Sequence, residues 1–134
     1  AALFERPCFI GPLALAASAT DAAGKTPAAN AIERMHANTH LPQLLGAMAR
    51  YEASGDGALR QAAENFFSEV SAGHTYVTGS STTGEIWLAA NRLADPVMAQ
   101  HAENYWSHDH AETCVAHNSM RVSRRLMQWG ATAE

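Results

Sequence analysis

Apolar residues recur at three- and four-residue intervals through the second third of the chain, and that spacing predicts amphipathic helices. Leu41, Leu44, Leu45, Met48 and Tyr51 fall on one face of a helix. Pro42 marks its expected start, because the first turn leaves its N–H groups unpaired and loses nothing to a proline. Gly55 supplies a stop that tolerates left-handed backbone. Asp56 is placed to cap a second helix, in which Leu59, Ala62, Ala63, Phe66, Phe67 and Val70 repeat the spacing up to Gly73. Together they predict an antiparallel helical hairpin with a short joint.

From His74 to Trp87 the pattern breaks. A short extended piece, Thr75-Tyr76-Val77, leads into Gly79-Ser80-Ser81-Thr82-Thr83-Gly84, which reads as a loop too polar for a core helix. A weaker helix is expected after Pro96 as far as about Tyr105. A stronger one runs from about Glu112 to Trp129, with Val115, Asn118, Val122, Leu126 and Trp129 on one side. Upstream, residues 14 to 34 are rich in Ala, and Ala22-Ala23-Gly24-Lys25-Thr26-Pro27 reads as a surface loop or insertion. The expectation is therefore an all-α chain with one long polar loop in its middle. Helical hairpins build bundles, solenoids and toroids alike, so the pattern does not choose among them.

Composition narrows the partners. The chain has 134 residues, 47% of them hydrophobic, enough for one domain with a modest core. Nine basic against 13 acidic residues, a net charge of −4 and no basic run exclude an electrostatic footprint for nucleic acid. Two cysteines, Cys8 and Cys114, make no disulfide framework and leave the compartment open. The apolar stretch from Phe9 to Ala19 superficially suggests a signal peptide, but Gly11 and Pro12 interrupt it and Glu5-Arg6 precedes it. No stretch is long enough to span a membrane. The absence of an initiator Met suggests a chain that starts inside a longer protein.

Several residues are candidates for chemistry. Glu85 follows the Gly-rich loop and precedes Ile86-Trp87, an apolar setting that can favour a protonated carboxyl, as a glycosidase proton donor requires; a solvated loop carboxylate fits the same spacing. His108-Asp109-His110-Ala111-Glu112-Thr113-Cys114 concentrates possible metal ligands at a helix start. Glu112 and Cys114 would point roughly 200° apart on a regular helix, so joint chelation needs one of them in an irregular first turn. Thiolate and carboxylate suit zinc, and a helix N-terminus favours a thiolate. A structural Cys beside a Glu that complements the helix dipole is the alternative. His110-Ala111-Glu112 also matches half of a zinc deaminase signature, but no Pro-Cys-x-x-Cys follows. His36 and His40 have two-histidine metal spacing, although Pro42 leaves both in the connection before the helix. Cys8 reads as packing, and Arg121, Arg124 and Arg125 as a solvated helix face.

Four segments resemble the beta-L-arabinofuranosidase group, glycoside hydrolase family 127 and its plant and bacterial relatives. They are Pro7-Cys8-Phe9-Ile10-Gly11, His36-Ala37-Asn38-Thr39-His40-Leu41-Pro42, Tyr76-Val77-Thr78-Gly79 through Gly84-Glu85-Ile86-Trp87, and Glu112-Thr113-Cys114 through Asn118, in matching order. The resemblance implies an arc of an (α/α)6 toroid, because a closed ring of about twelve helices at roughly 11 to 12 residues each exceeds this length. It implies a retaining hydrolase that releases terminal beta-L-arabinofuranosyl sugars from an arabinose-containing glycan. Zinc is the implied cofactor, with a zinc-bound cysteine as nucleophile. By the same resemblance Glu85 is the general acid/base, Glu112 and Cys114 are two of four zinc ligands, and His36 lies near the substrate. The nucleophile belongs to a cysteine-rich motif that these 134 residues do not contain, so the chain alone is expected to be inactive. Two departures affect the pocket: the stretch from Leu88 to His110 is longer than usual, and His117 stands where a tyrosine is customary. The competing expectations are a non-catalytic sugar- or protein-binding helical module and a small zinc hydrolase using His108, His110, Glu112 and Cys114. Apolar faces left open by an arc would favour self-association.

Overall fold

The computed structural model describes residues 7–93 and 111–130. Among them lie five helices and no strand: α1 (Pro7–Leu13), α2 (Pro27–Ile32), α3 (Ala37–Ser54), α4 (Gly57–Gly73) and α5 (Thr113–Gln128). The chain is all-α. The weak helix expected between Pro96 and Tyr105 lies outside the described residues.

The hairpin of α3 and α4 forms where the spacing places it. Gly55 ends α3 in the left-handed region at φ 73°, and its N–H reaches Tyr51 O at 2.8 Å. Asp56 caps α4 by accepting from Ala58 N at 3.1 Å. Leu41, Leu44 and Met48 of α3 and Leu59, Ala62, Ala63 and Phe66 of α4 are buried in one core. The third long helix, α5, lies against both, burying Val115, Val122 and Leu126. Trp129 stacks edge-on against Tyr51 with ring centroids 4.8 Å apart. Arg125 is not simply solvated as the pattern suggested: its guanidinium donates to Leu45 O at 3.1 Å and sits 3.4 Å from Glu52.

The start of α3 departs from expectation. Its helix begins at Ala37, five residues before Pro42, which therefore stands inside it. Pro42 has no N–H to give to the Asn38 carbonyl, a loss of one helical hydrogen bond. The helix extends past it because backbone from elsewhere supports the first turn: Ala37 N donates to Glu85 O at 2.8 Å. His36 is consequently the N-cap and His40 lies in the first turn, rather than both in a connection. His40 is buried, with Nδ1 2.8 Å from His36 O and 3.0 Å from Thr39 Oγ1, and its ring packs on Phe9 at 4.8 Å. Those contacts make it a structural residue.

Two more elements refine the sequence reading. A helix, α2, lies within the Ala-rich stretch read as a loop, where small side chains let Ala28, Ala31 and Ile32 pack closely. Thr26 caps it, accepting from Ala29 N at 2.9 Å. The same hydroxyl donates to Glu69 at 2.8 Å, Glu69 meets buried His74 Nε2 at 3.3 Å, and His74 Nδ1 meets Leu88 O at 2.8 Å. This chain of contacts ties α2 and α4 to the segment that follows Trp87. Cys8, expected to pack, is exposed instead, because the short α1 turns Phe9, Ile10 and Leu13 inward. No helix among the described residues is long and apolar enough to cross a membrane.

Candidate active site

The hydroxyl run of the polar loop after α4 is buried, while Val77, Thr78 and Gly79 before it are exposed. Ser80, Ser81, Thr82 and Thr83 are each at most 4% exposed, in a stretch whose composition read as a loop too polar for a core helix. Hydroxyl hydrogen bonds offset the burial of three of them, whereas Thr82 Oγ1 is buried without a protein partner among the described residues. Thr83 Oγ1 donates to Leu93 O at 2.8 Å, so Tyr76 Oη must donate to Thr83 across their 2.8 Å contact. Ser81 Oγ accepts from Trp87 Nε1 at 3.0 Å, and Ser80 Oγ reaches Glu112 O at 3.4 Å. Trp87 itself is fully buried and packs edge-on against Phe66 at 5.4 Å.

That framework presents Glu85. Thr83 and Ile86 exchange backbone hydrogen bonds at 3.3 and 3.4 Å, with Gly84 at φ 58° and Glu85 at φ 62° between them. Two successive positive φ values in a two-residue reversal define a type I′ turn. Glu is an unfavourable residue for the second of these positions, and it is held there by its neighbours. On the far side of the turn, Trp87 N donates to Met35 O at 3.1 Å and Arg34 N to Trp87 O at 2.7 Å, pairing residues 34–37 with 85–87.

This pairing brings His36 and Glu85 together across 49 residues of sequence. Nε2 lies 3.1 Å from Glu85 Oε2, and the Glu85 side chain is 20% exposed. The contact works with the proton on either partner: an ionised Glu85 accepts from Nε2–H, and a protonated Glu85 donates to bare Nε2. Such a carboxyl can give up a proton and take one back while keeping its orientation. A fifth of the side chain is open to solvent.

The second cluster lies at the start of α5. Glu112 is the N-cap, with extended rather than helical ψ of 140°, and Cys114 is the second helical residue. The irregular Glu112 backbone offsets the divergence of a regular helix, and Cys114 Sγ donates to Glu112 Oε2 at 3.3 Å. Ala111 N reaches Thr82 O at 3.4 Å, so the buried hydroxyl loop also anchors this cluster. The helix start does not favour the thiolate here. Cys114 is exposed, but neighbouring groups displace part of its hydration, and this, followed by the hydrogen bond and charge of Glu112, pushes the thiol above its ordinary value.

The family model described as Beta-L-arabinofuranosidase, GH127 catalytic domain, matches residues 1–134, the whole chain. The chain belongs to this family. It is thus a glycoside hydrolase domain of the beta-L-arabinofuranosidase type, with a glycan as its substrate class. No curated protein matches it.

In this GH127 chain Glu112 and Cys114 fit a shared cation. Sulfur at about 2.3 Å and oxygen at about 2.0 Å from a tetrahedral zinc stand roughly 3.5 Å apart, close to the separation of the two donors. Among the described residues no three His, Cys, Asp or Glu side chains gather to hold a metal. His108 and His110 lie outside the described residues. Sequence pattern overlooked Asn38 and Asn118, whose side chains join α3 to α5 at 3.1 Å. The signal available was the position of Asn38, two residues after His36 in the same motif.

Proposed function

We propose that this chain supplies the proton donor and half of a zinc site to a retaining glycosidase that releases terminal beta-L-arabinofuranosyl groups. The observation that carries the reading is Glu85, held in a left-handed turn with its carboxylate on His36. A strained, mostly covered carboxyl with one polar partner is what donation to a leaving oxygen requires. The paired start of α3, the hairpin behind it and α5 alongside would form an arc of an (α/α)6 toroid.

In the first step Glu85 protonates the departing glycosidic oxygen while a cysteine thiolate, contributed by polypeptide outside these 134 residues, attacks the anomeric carbon. In the second, Glu85 takes a proton from water as that water attacks the same carbon and releases the sugar. His36 orients the carboxyl through both steps, its Nε2 on Glu85 Oε2. Zinc, held by Glu112, Cys114 and ligands from elsewhere, would supply the positive charge that keeps a coordinated thiol ionised.

Leaving-group dependence tests the role of Glu85. In the complete catalytic domain, Glu85→Gln should lower kcat for an alkyl arabinofuranoside by roughly 100- to 10,000-fold. An aryl arabinofuranoside with a good leaving group should lose far less in its first step, since it departs without a proton. Equal losses on both substrates would remove Glu85 from this role.

A further inference from the structure

A buried histidine stands where α4 and the segment that carries Glu85 meet. His74 is the C-cap of α4 and is 1% exposed. Its Nδ1 lies 2.8 Å from Leu88 O, an atom that only accepts, so this nitrogen carries a hydrogen and donates it. The other side of the ring is held as well. Nε2 meets Glu69 Oε1 at 3.3 Å, Glu69 Oε2 accepts from Thr26 Oγ1 at 2.8 Å, and that hydroxyl in turn accepts from Ala29 N at 2.9 Å. The partner of one ring nitrogen sets which proton the other carries, and a flipped ring would forfeit both contacts. Leu88 directly follows Trp87, whose N donates to Met35 O at 3.1 Å and whose O accepts from Arg34 N at 2.7 Å. Glu85 lies two residues before that paired position and Leu88 one after it. The segment is thus held at one end by Ala37 and His36, and at the other by His74.

We propose that His74 is a positioning residue for Glu85: through Leu88 O it fixes residues 85–88 against the end of α4, and Glu69 keeps the imidazole in the tautomer that does so. The inference rests on the reading of Glu85 as proton donor and deepens it. Misplacing a reacting group by about 1 Å costs up to about 100-fold in rate. The loss is bounded by what the proton donor itself supplies, about 100- to 10,000-fold. A residue that acts only by aligning the acid matters in the step where the leaving oxygen takes a proton. A leaving group that departs without a proton escapes the loss, whereas a smaller folded fraction lowers the rate on every substrate alike.

Two measurements test this. In the 15N-labelled 134-residue chain, NMR of the His74 ring should show Nδ1 bonded to a hydrogen that exchanges slowly with water. Glu69→Gln should preserve that signal, because its amide can donate to a bare Nε2 and accept from Thr26, whereas Glu69→Ala should speed the exchange. The second compares His74→Gln with His74→Asn in the complete catalytic domain. An Asn amide nitrogen overlies Nδ1 and still reaches Leu88 O, whereas a Gln amide nitrogen overlies Nε2 and does not. His74→Gln should lower kcat for an alkyl arabinofuranoside by about 10- to 100-fold, with KM and the first-step rate on an aryl arabinofuranoside nearly unchanged. His74→Asn should recover most of that loss. A parent ring with a bare Nδ1 overturns the proposal. So do equal losses on the two substrates in His74→Gln, or no difference between Gln and Asn, while Glu85→Gln remains selective for the alkyl substrate. Equal losses in Glu85→Gln itself overturn the proton-donor reading and this inference with it. Should His74→Gln fail to fold, Glu69→Ala replaces it, and alkyl and aryl rates that keep their parent ratio there overturn the proposal.

Discussion

Replacing Glu85 by Gly and, separately, by Ala distinguishes what its backbone costs from what its carboxylate contributes. Both variants lose the contact with His36, so that loss cancels when they are compared. What remains is φ 62°, which an L-residue adopts at a cost of roughly 1–2 kcal/mol and Gly adopts freely. Against this, Gly gives the unfolded chain more freedom, worth about 0.4–1 kcal/mol. The balance favours Glu85→Gly over Glu85→Ala by about 0.5–1 kcal/mol. At a residue with ordinary negative φ the order reverses, because only the unfolded-state entropy is left. The sign is therefore decisive. Urea unfolding of the two variants measures it directly, and a two-state chain of this size should show a Tm higher by about 2–4 °C for Gly. If the Ala variant is as stable as the Gly variant or more so, the type I′ turn and the strain assigned to Glu85 are wrong. The comparison also addresses function, since the wild-type Glu would then occupy a position that stability alone would assign to Gly.

Two further substitutions probe the support of the turn. Gly73→Ala would place a methyl 2.7 Å from Ala90 Cβ and 3.3 Å from its Cα, where the chain returns to donate from Asn91 N to Gly73 O. It should cost about 1–3 kcal/mol in chemical denaturation, and an unchanged midpoint would show that the 88–91 segment yields freely. Trp87→Ala removes a fully buried side chain, its contact with Phe66 and the partner of Ser81. A loss of about 3–5 kcal/mol is expected, with exchange of the Ala37 amide accelerated beyond the global change; protection of that amide at its parent level relative to α4 would contradict the coupling of Trp87 to the site.

The α3–α4 hairpin and α5 were legible because their apolar stripes are long and their ends carry local signals, Gly55 and Asp56 above all. The start of α3 was not. Local reasoning puts it at Pro42, whereas the N–H of Ala37 is satisfied by Glu85 O, far away in sequence. No window of neighbouring residues contains that bond. The loop at 79–87 misleads for a related reason: Ser80, Ser81, Thr82 and Thr83 are polar by type, but three of them meet partners that only the tertiary fold supplies. Of the site, Glu85 and the pair Glu112 and Cys114 could be singled out as chemically capable and by resemblance. Their surroundings could not, because His36, Asn38 and Asn118 acquire meaning only when α3 is set against the turn and α5.

The backbone bond between Ala37 and Glu85 also has a consequence for the order of events in folding. It closes a loop of nearly fifty residues, whose entropic cost by chain statistics is about 3.5 kcal/mol before any constant is added. The α3–α4 hairpin needs no such closure and can form from contacts near in sequence. The helical scaffold should therefore assemble first, with the opening turn of α3 completed only when residues 83–87 fold back onto it. The pairing of His36 with Glu85, on this view, is the last part of the described fold to become native and the first to be lost.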